Sequence, residues 1–309
     1  MYPMEKLHIE TPLIRSLAMQ LGLQRTVWLK LDALQPSGSF KLRGVGLACQ
    51  VRANEGARRF VCSSGGNAGL AVAYAGRLLG LATVVVLPET TTETAKQLLR
   101  LEGAEVIVHG DSWQEANELA MSMLSATDAF IHPFDDPLLW EGHATLIDEV
   151  AHANVTPDAV VVSVGGGGLL SGVVAGLKRN GMNNVPVVAV ETSGAASFHA
   201  SIVAGHPVNF ERITSVASSL GAKRVSEQAM RCARTHEIKS VVVPDKSALA
   251  ACERFLTDHR LLVEPACGAS LALAYEDHPA LAGYSNILVV VCGGATASLD
   301  QIRAWNAAA

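Results

Sequence analysis

Ala159-Val160-Val161-Val162-Ser163-Val164-Gly165-Gly166-Gly167-Gly168-Leu169-Leu170-Ser171-Gly172 decides how this chain folds. A continuous β-branched run with no polar alternation reads as a strand buried on both faces. That is the habit of a parallel sheet covered by helices. The glycines end the strand and lead into a helix of small residues. Consecutive glycines lose much chain entropy on folding, a loss that a plain connection does not warrant. It is warranted where several backbone amides converge on an anion such as a phosphate. No Lys-Ser or Lys-Thr follows the last glycine, so the loop is not a Walker P-loop. Glu191 ends the next strand about twenty residues on, the spacing of a nucleotide site. Phosphate binding and nucleotide binding therefore both stay open from this stretch.

Outward from it, strands are expected at 26–31, 59–62, 83–87, 105–109, 129–131, 186–190, 240–243 and 286–292. Helical patterns lie at 68–79, 91–101, 113–125, 145–153, 170–180, 246–258 and 268–277. Alternation of this kind predicts open α/β sheets with right-handed crossovers. The segment Pro133–Pro137, rich in proline and acid, is the expected domain boundary.

Three further strand exits carry chemistry. Pro36-Ser37-Gly38-Ser39-Phe40-Lys41 sets a lysine at the mouth of a helix beside an aromatic face. Such an amine can form a Schiff base once burial lowers its pKa, although an ordinary first-turn lysine has the same local sequence. Cys62-Ser63-Ser64-Gly65-Gly66-Asn67-Ala68-Gly69 sits between a strand and a helix, where unpaired amides favour a bound anion. A tight turn with an N-cap would also account for it. Val291-Cys292-Gly293-Gly294-Ala295-Thr296 again follows a strand. Open α/β sheets bind ligands at the carboxyl ends of their strands, so these loops are expected to surround one pocket.

The 309 residues allow one to two domains. With 49% hydrophobic and 17% charged residues the chain is of the globular class, and its 5% aromatics leave Ala, Val, Leu and Gly to fill the core. The net charge of −5 is dispersed and offers no basic face for nucleic acid. Apolar runs are far shorter than the ~20 residues of a membrane span, and the first six residues do not read as a leader. The six cysteines lack metal spacing and read as reduced thiols of a cytoplasmic protein.

Together these motifs resemble the fold-type II pyridoxal-phosphate enzymes, and within them the short serine/threonine dehydratases. The resemblance runs along nearly the whole chain. It takes in Thr11-Pro12-Leu13, the lysine and serine loops, and Pro133-Phe134-Asp135-Asp136-Pro137. It continues through Trp140-Glu141-Gly142-His143, the tetraglycine, Val263-Glu264-Pro265-Ala266-Cys267-Gly268 and Cys292-Gly293-Gly294. It implies an α/β fold of two open, twisted, mostly parallel sheets flanked by helices, similar to the tryptophan synthase β chain. The large domain would comprise 1–41 and 137–309, and the small domain 42–136.

The implied reaction is dehydration and deamination of L-serine or L-threonine to pyruvate or 2-oxobutanoate plus ammonia. Serine racemisation and β-replacement are the neighbouring alternatives, and a non-catalytic ligand-binding homologue the distant one. Lys41 would carry pyridoxal phosphate covalently and act as the base, with Phe40 packed on one ring face. Gly165, Gly166, Gly167, Gly168 and Leu169 would bind the phosphate, and Asn67 the 3′-oxygen. Ser64, Gly65, Gly66, Asn67 and Ala68 would take the substrate carboxylate. Cys292 would face the pyridine nitrogen as a neutral thiol, which favours β-elimination over transamination. A potassium ion would sit among Glu191, Ala195, Ser197, Leu220 and Ala222, where a solvated surface Glu191 is the alternative. The family suggests a homodimer. Gly65 and Ala68 depart from the Ser-Ser-Gly-Asn-His loop of larger relatives and should weaken polar contact with substrate. No regulatory domain is expected after the last helix.

Overall fold

The computed structural model describes residues 5–20 and 25–308, so most of the stretch read for a leader lies outside the described residues. Two sheets organise it. The larger has the order β1-β2-β10-β7-β8-β9, formed by Leu13–Arg15, Thr26–Lys30, Asn286–Val290, Ala159–Ser163, Val187–Thr192 and Ile238–Val243. Only β1 runs antiparallel, against β2. The smaller sheet has the order β5-β4-β3-β6 and is parallel throughout, from Glu105–Val108, Ala82–Leu87, Arg59–Cys62 and Asp128–Phe130.

The quoted valine run is the centre of the larger sheet. Every residue of β7 is buried, between β10 and β8. Burial of each such valine contributes roughly 1.5–3 kcal/mol. Helices α5 (Pro137–His152), α6 (Gly168–Arg179), α9 (Asp245–His259) and α10 (Pro265–Tyr275) belong to this sheet. Around the smaller sheet are α1 (Lys41–Asn54), α2 (Asn67–Leu79), α3 (Glu93–Leu101) and α4 (Trp113–Ser122). The short α7 (Ser197–Ala204) and α8 (Glu227–Thr235) follow β8, and α11 (Leu299–Ala308) follows β10. Among the described residues no helix is long and apolar enough to cross a membrane.

Close helix crossings set the position of α1. A Cβ on Gly44 would lie 2.5 Å from the Leu139 carbonyl, and one on Gly142 would lie 2.3 Å from the Arg43 carbonyl. The backbones of α1 and α5 therefore touch, and only glycine permits it. Beneath this crossing Arg43 is fully buried in an ion cluster. Its guanidinium reaches Asp32 at 2.6 Å and Glu149 at 2.5 Å, while Lys30 reaches Glu149 at 2.5 Å. The cluster ties α1 to α5 and β2 just behind Lys41.

Helix α5 starts at Pro137, well ahead of the expected 145. Asp136 caps it by accepting from Leu138 N at 2.8 Å, and Pro137 fits the first turn. The proline-rich stretch is thus a helix start as well as a connection. Helices α7, α8 and α11 and strand β1 were not expected. Strand β1 spans three residues, and α8 is a short, mostly polar helix that buries Ala229, Met230 and Cys232 and is capped by Ser226, which accepts from Ala229 N at 3.2 Å.

Candidate active site

Lys41 is the first residue of α1, as its motif implies. Two strand exits hold it there. Phe40 N donates to the Cys292 carbonyl at 2.9 Å, Gly294 N donates to the Gly38 carbonyl at 3.1 Å, and Ser39 bridges Gly293. The lysine loop is therefore knitted to the loop after β10. The Lys41 amine donates to the Pro133 carbonyl at 2.5 Å and stands 5.2 Å from the centre of the Phe40 ring. Burial lowers its pKa to about 8, against an opposing pull from Cys62, Cys292 and Glu264. The residue as a whole keeps partial exposure, while its amine is enclosed.

Phe40 packs edge-on against His143, with ring centres 4.8 Å apart. His143 is fully buried and neither of its ring nitrogens has a hydrogen-bond partner. Burial first, then Lys41 and Arg43, hold it well below the usual histidine range, so it is neutral. His132 accepts from Phe134 N at 3.2 Å and Asp135 N at 2.8 Å through Nδ1. Burial and the Lys41 charge lower its pKa to about 4.

The tetraglycine connects β7 to α6. Helix α6 has no side-chain cap, so its first amides, at Gly168 and Leu169, lack intrahelical partners. Gly167 has φ +92°, where a side chain is strained. A Cβ on Gly166 would meet the Phe134 ring at 2.3 Å, and one on Gly168 would meet the Phe134 carbonyl at 2.7 Å. The segment 132–134 thus touches both the glycine loop and, through Pro133, the lysine.

The serine loop opens α2. Its N-cap, Gly66, has no side-chain bond, and Asn67 is the first helical residue, followed by Ala68. Gly66 N lies 3.4 Å from Ser64 Oγ. A Cβ on Gly65 would lie 2.7 Å from Thr91 Cγ2, so the Thr91 side chain stands beside the position where larger relatives carry serine. Asn67 donates from Nδ2 to Glu264 at 2.7 Å, and its Oδ1 is buried without a partner.

Cys292 is buried, and its bond to the Cys267 thiol together with burial pushes its pKa well up. It is a neutral thiol. All six cysteines are free and buried. At the end of β8, Glu191 is fully buried rather than on the surface. Its carboxylate accepts from Phe198 N at 2.8 Å and His199 N at 2.7 Å. Ser197 Oγ is buried without a partner, and the Leu220 carbonyl accepts from Ala222 N at 2.8 Å. Burial raises Glu191 to about 8. Among the described residues no group of three or more His, Cys, Asp or Glu is placed to hold a metal ion.

The site residues read from the sequence therefore converge on the carboxyl ends of both sheets. Pro133, Glu264, His132, Thr91 and Thr296 were given no role. Their signal was faint. Pro133 and Glu264 lie inside quoted motifs, while a backbone carbonyl or a neighbouring threonine leaves no sequence mark.

The arrangement fits pyridoxal phosphate. It offers an enclosed amine, an uncapped glycine-lined helix start, a neutral thiol and an Asn67 amide nitrogen with one N–H left beside its bond to Glu264. Residues 4–293 match the family model described as "Pyridoxal-phosphate dependent enzyme". The chain is 45% identical to L-serine dehydratase/L-threonine deaminase of Mus musculus, over 97% of this chain and 95% of that one. It is 43% identical to L-serine dehydratase of Dictyostelium discoideum, over 96% and 91%. A fungal L-serine ammonia-lyase from Rhizomucor miehei superposes with a TM-score of 0.93 at 36% identity, covering 98% of this chain and 99% of that one. By sequence, by fold and by the residues gathered around Lys41, the chain belongs to the pyridoxal-phosphate dependent enzyme family.

Proposed function

We propose that this protein is a pyridoxal-phosphate-dependent L-serine/L-threonine ammonia-lyase. The observation that carries the reading is an enclosed Lys41 amine with a pKa of about 8, set among the four strand-exit loops. When bound, the cofactor supplies an aldehyde for the amine and a conjugated ring that takes up the electron pair left by a departing proton.

Lys41 would hold the cofactor through its amine, and its Nζ, when free, is placed to take the substrate Cα proton. Phe40 covers one ring face. The amides of Gly165, Gly166, Gly167, Gly168 and Leu169 hold the phosphate. Ser64, Gly65, Gly66, Asn67 and Ala68 take the substrate carboxylate at the uncapped start of α2. The free N–H of Asn67 is left for the ring oxygen. Cys292, as a neutral thiol, would offer the pyridine nitrogen no counter-ion, which would favour loss of the β-hydroxyl. In balance, L-serine loses and regains water to give pyruvate and ammonia.

A monovalent cation such as potassium completes this reading. The buried Glu191 carboxylate and the unpartnered Ser197 hydroxyl support it, with the Ala195, Leu220 and Ala222 carbonyls as further oxygen ligands. A division into a large domain (1–41 and 137–309) and a small one (42–136) belongs to this reading, and the two separate sheets support it, although α1 begins at Lys41. Free buried cysteines support a cytoplasmic setting. Exposed Ile9, Ile14 and Leu17 offer apolar surface that a second copy would cover in a homodimer.

The test is pyruvate formation from L-serine with no added thiol. Lys41→Ala should abolish both turnover and the long-wavelength absorbance of bound cofactor. Full activity in that variant would sink the assignment.

A further inference from the structure

Glu264 is almost wholly buried, at 4% exposure, yet no salt-bridging cation lies against it among the described residues. It precedes α10 at the N-cap position, where a carboxylate usually bonds the amides of its own helix. Its side chain makes no such bond. Instead Oε1 accepts from Asn67 Nδ2 at 2.7 Å and Oε2 accepts from Thr296 Oγ1 at 2.8 Å. The nearby Ser219 hydroxyl also lowers its pKa. Asn67 starts α2 beside the smaller sheet, whereas Thr296 follows β10 of the larger one. The two oxygens therefore span the two halves of the pocket.

A carboxylate surrounded by donors can only accept. It dictates which end of the Asn67 amide faces it. The nitrogen must turn toward Glu264, and the other end of the amide is thereby aimed away from it. A buried charge without a cation is costly, so a polar or apolar residue would fill this position more cheaply if the position served the fold alone. The Lys41 charge acts on it.

We propose that Glu264 is a positioning residue of this site. It fixes the Asn67 amide in one orientation toward the bound ring, locks the small-sheet loop to the large-sheet loop, and supplies a fixed negative charge to the Lys41 amine. The proposal rests on the pyridoxal-phosphate reading above.

The groups that face this pair are accounted for. Burial pushes up the thiols of Cys62 and Cys252, the bond to Cys267 and then burial push up Cys292, and burial pushes down His132 and His143, so all are neutral near pH 7. Cys267 lies beside Cys292. Burial raises the Glu264 carboxyl above its usual range, opposed by its bonds from Thr296, Ser219 and Asn67 and by the Lys41 charge, and Glu264 is the one acid of this group whose charge acts on Lys41.

The experiment uses the full chain, stripped of cofactor and titrated with pyridoxal phosphate. Affinity is read by absorbance. Glu264→Ala should weaken affinity about ten- to a hundred-fold, the loss of one charged hydrogen bond. Glu264→Gln can still accept from Asn67 and should restore most of that affinity. It removes the charge, so the pH midpoint of cofactor capture should move down, because the Lys41 ammonium loses its stabilising neighbour. In an Asn67→Ala background, Glu264→Ala should add little further loss. Fully additive losses, or an unmoved midpoint in Glu264→Gln, would overturn the proposal. Failure of the unaltered protein to bind pyridoxal phosphate would instead overturn the function proposed above.

Discussion

The Lys41 amine donates to the Pro133 carbonyl, so a residue that opens α1 is held by the segment that leaves the smaller sheet. The same segment presses Phe134 against the glycine loop. One stretch of backbone therefore sets the distance between the reactive amine and the anion cradle. The chemistry of this pocket depends on that geometry as much as on the identity of its side chains.

The first consequence is a pH profile. Burial lowers Lys41 to about 8, and only the neutral amine attacks an aldehyde. Cofactor capture by the stripped protein should therefore rise with pH around a midpoint near 8 and level off above it. An ordinary lysine would still be rising at pH about 10. Stopped-flow absorbance across pH 6.5–10 is the check, and a midpoint near 10 would show that the amine is solvated.

The second concerns Arg43. Removing it leaves Asp32 with Thr11 alone, at 2.7 Å, in a buried setting. Arg43→Ala should cost about 3–5 kcal/mol, the usual loss on breaking a buried pair. The acid limb should change too. Burial would raise Glu149, but its bonds to Arg43 and Lys30 outweigh burial and hold it below the ordinary carboxylate range. Its stabilising contribution is present above the unfolded pKa of about 4.3 and is lost as pH falls through the lower folded value. Urea melts at pH 7 and pH 4 should show that limb flattened in Arg43→Ala. A loss under about 1 kcal/mol would contradict the role given to the cluster.

How far the sequence went follows from where each signal was stored. Val160–Val164 and the other continuous runs were legible because burial on both faces removes polar alternation, and the strands fell where expected. Lys41, the tetraglycine and Cys292 were legible because they sit in strand-exit motifs. Glu264 was quoted within a motif but had no role, since its function lies in bonds to Asn67 and Thr296, 197 and 32 residues away. Pro133 acts through a carbonyl that any residue would possess. The Arg43 cluster joins residues from Thr11 to Glu149, and no local pattern announces such a pairing. Helix α8 was missed because its nine residues are mostly polar and its buried face is only Ala229, Met230 and Cys232.

The glycine loop gives a third prediction. Gly166→Ala forces a Cβ into the Phe134 ring. Phe134 must shift, and the adjoining Pro133 carbonyl shifts with it. Affinity for pyridoxal phosphate should fall at least about tenfold, near 1.4 kcal/mol. Gly181→Ala is the control. Gly181, unlike Gly166, has a positive φ, +72°, and it has open space around its Cβ position. It should lower stability through backbone strain of about 1–2 kcal/mol while leaving cofactor affinity unchanged. Equal loss of affinity in both variants would mean that the loop acts only through general stability.

The last prediction separates a cation site from an empty carboxylate. Burial raises Glu191 to about 8, although the Phe198 and His199 amides pull the other way. The unfolded value is about 4.3. Between these values the native state binds more protons than the unfolded state. The slope of stability with pH is then negative, and stability falls as pH climbs from about 4.3 to about 8. A cation among the Glu191, Ala195, Ser197, Leu220 and Ala222 oxygens favours the ionised carboxylate, lowers its folded pKa and removes that slope. Melting temperature should thus decline from pH 5 to pH 8 in tetramethylammonium chloride and stay flatter in potassium chloride. Glu191→Gln carries no charge to offset and should melt alike in both salts. Parallel curves for the unaltered protein in the two salts would rule out a site for potassium here and leave Glu191 as a buried acid that caps α7.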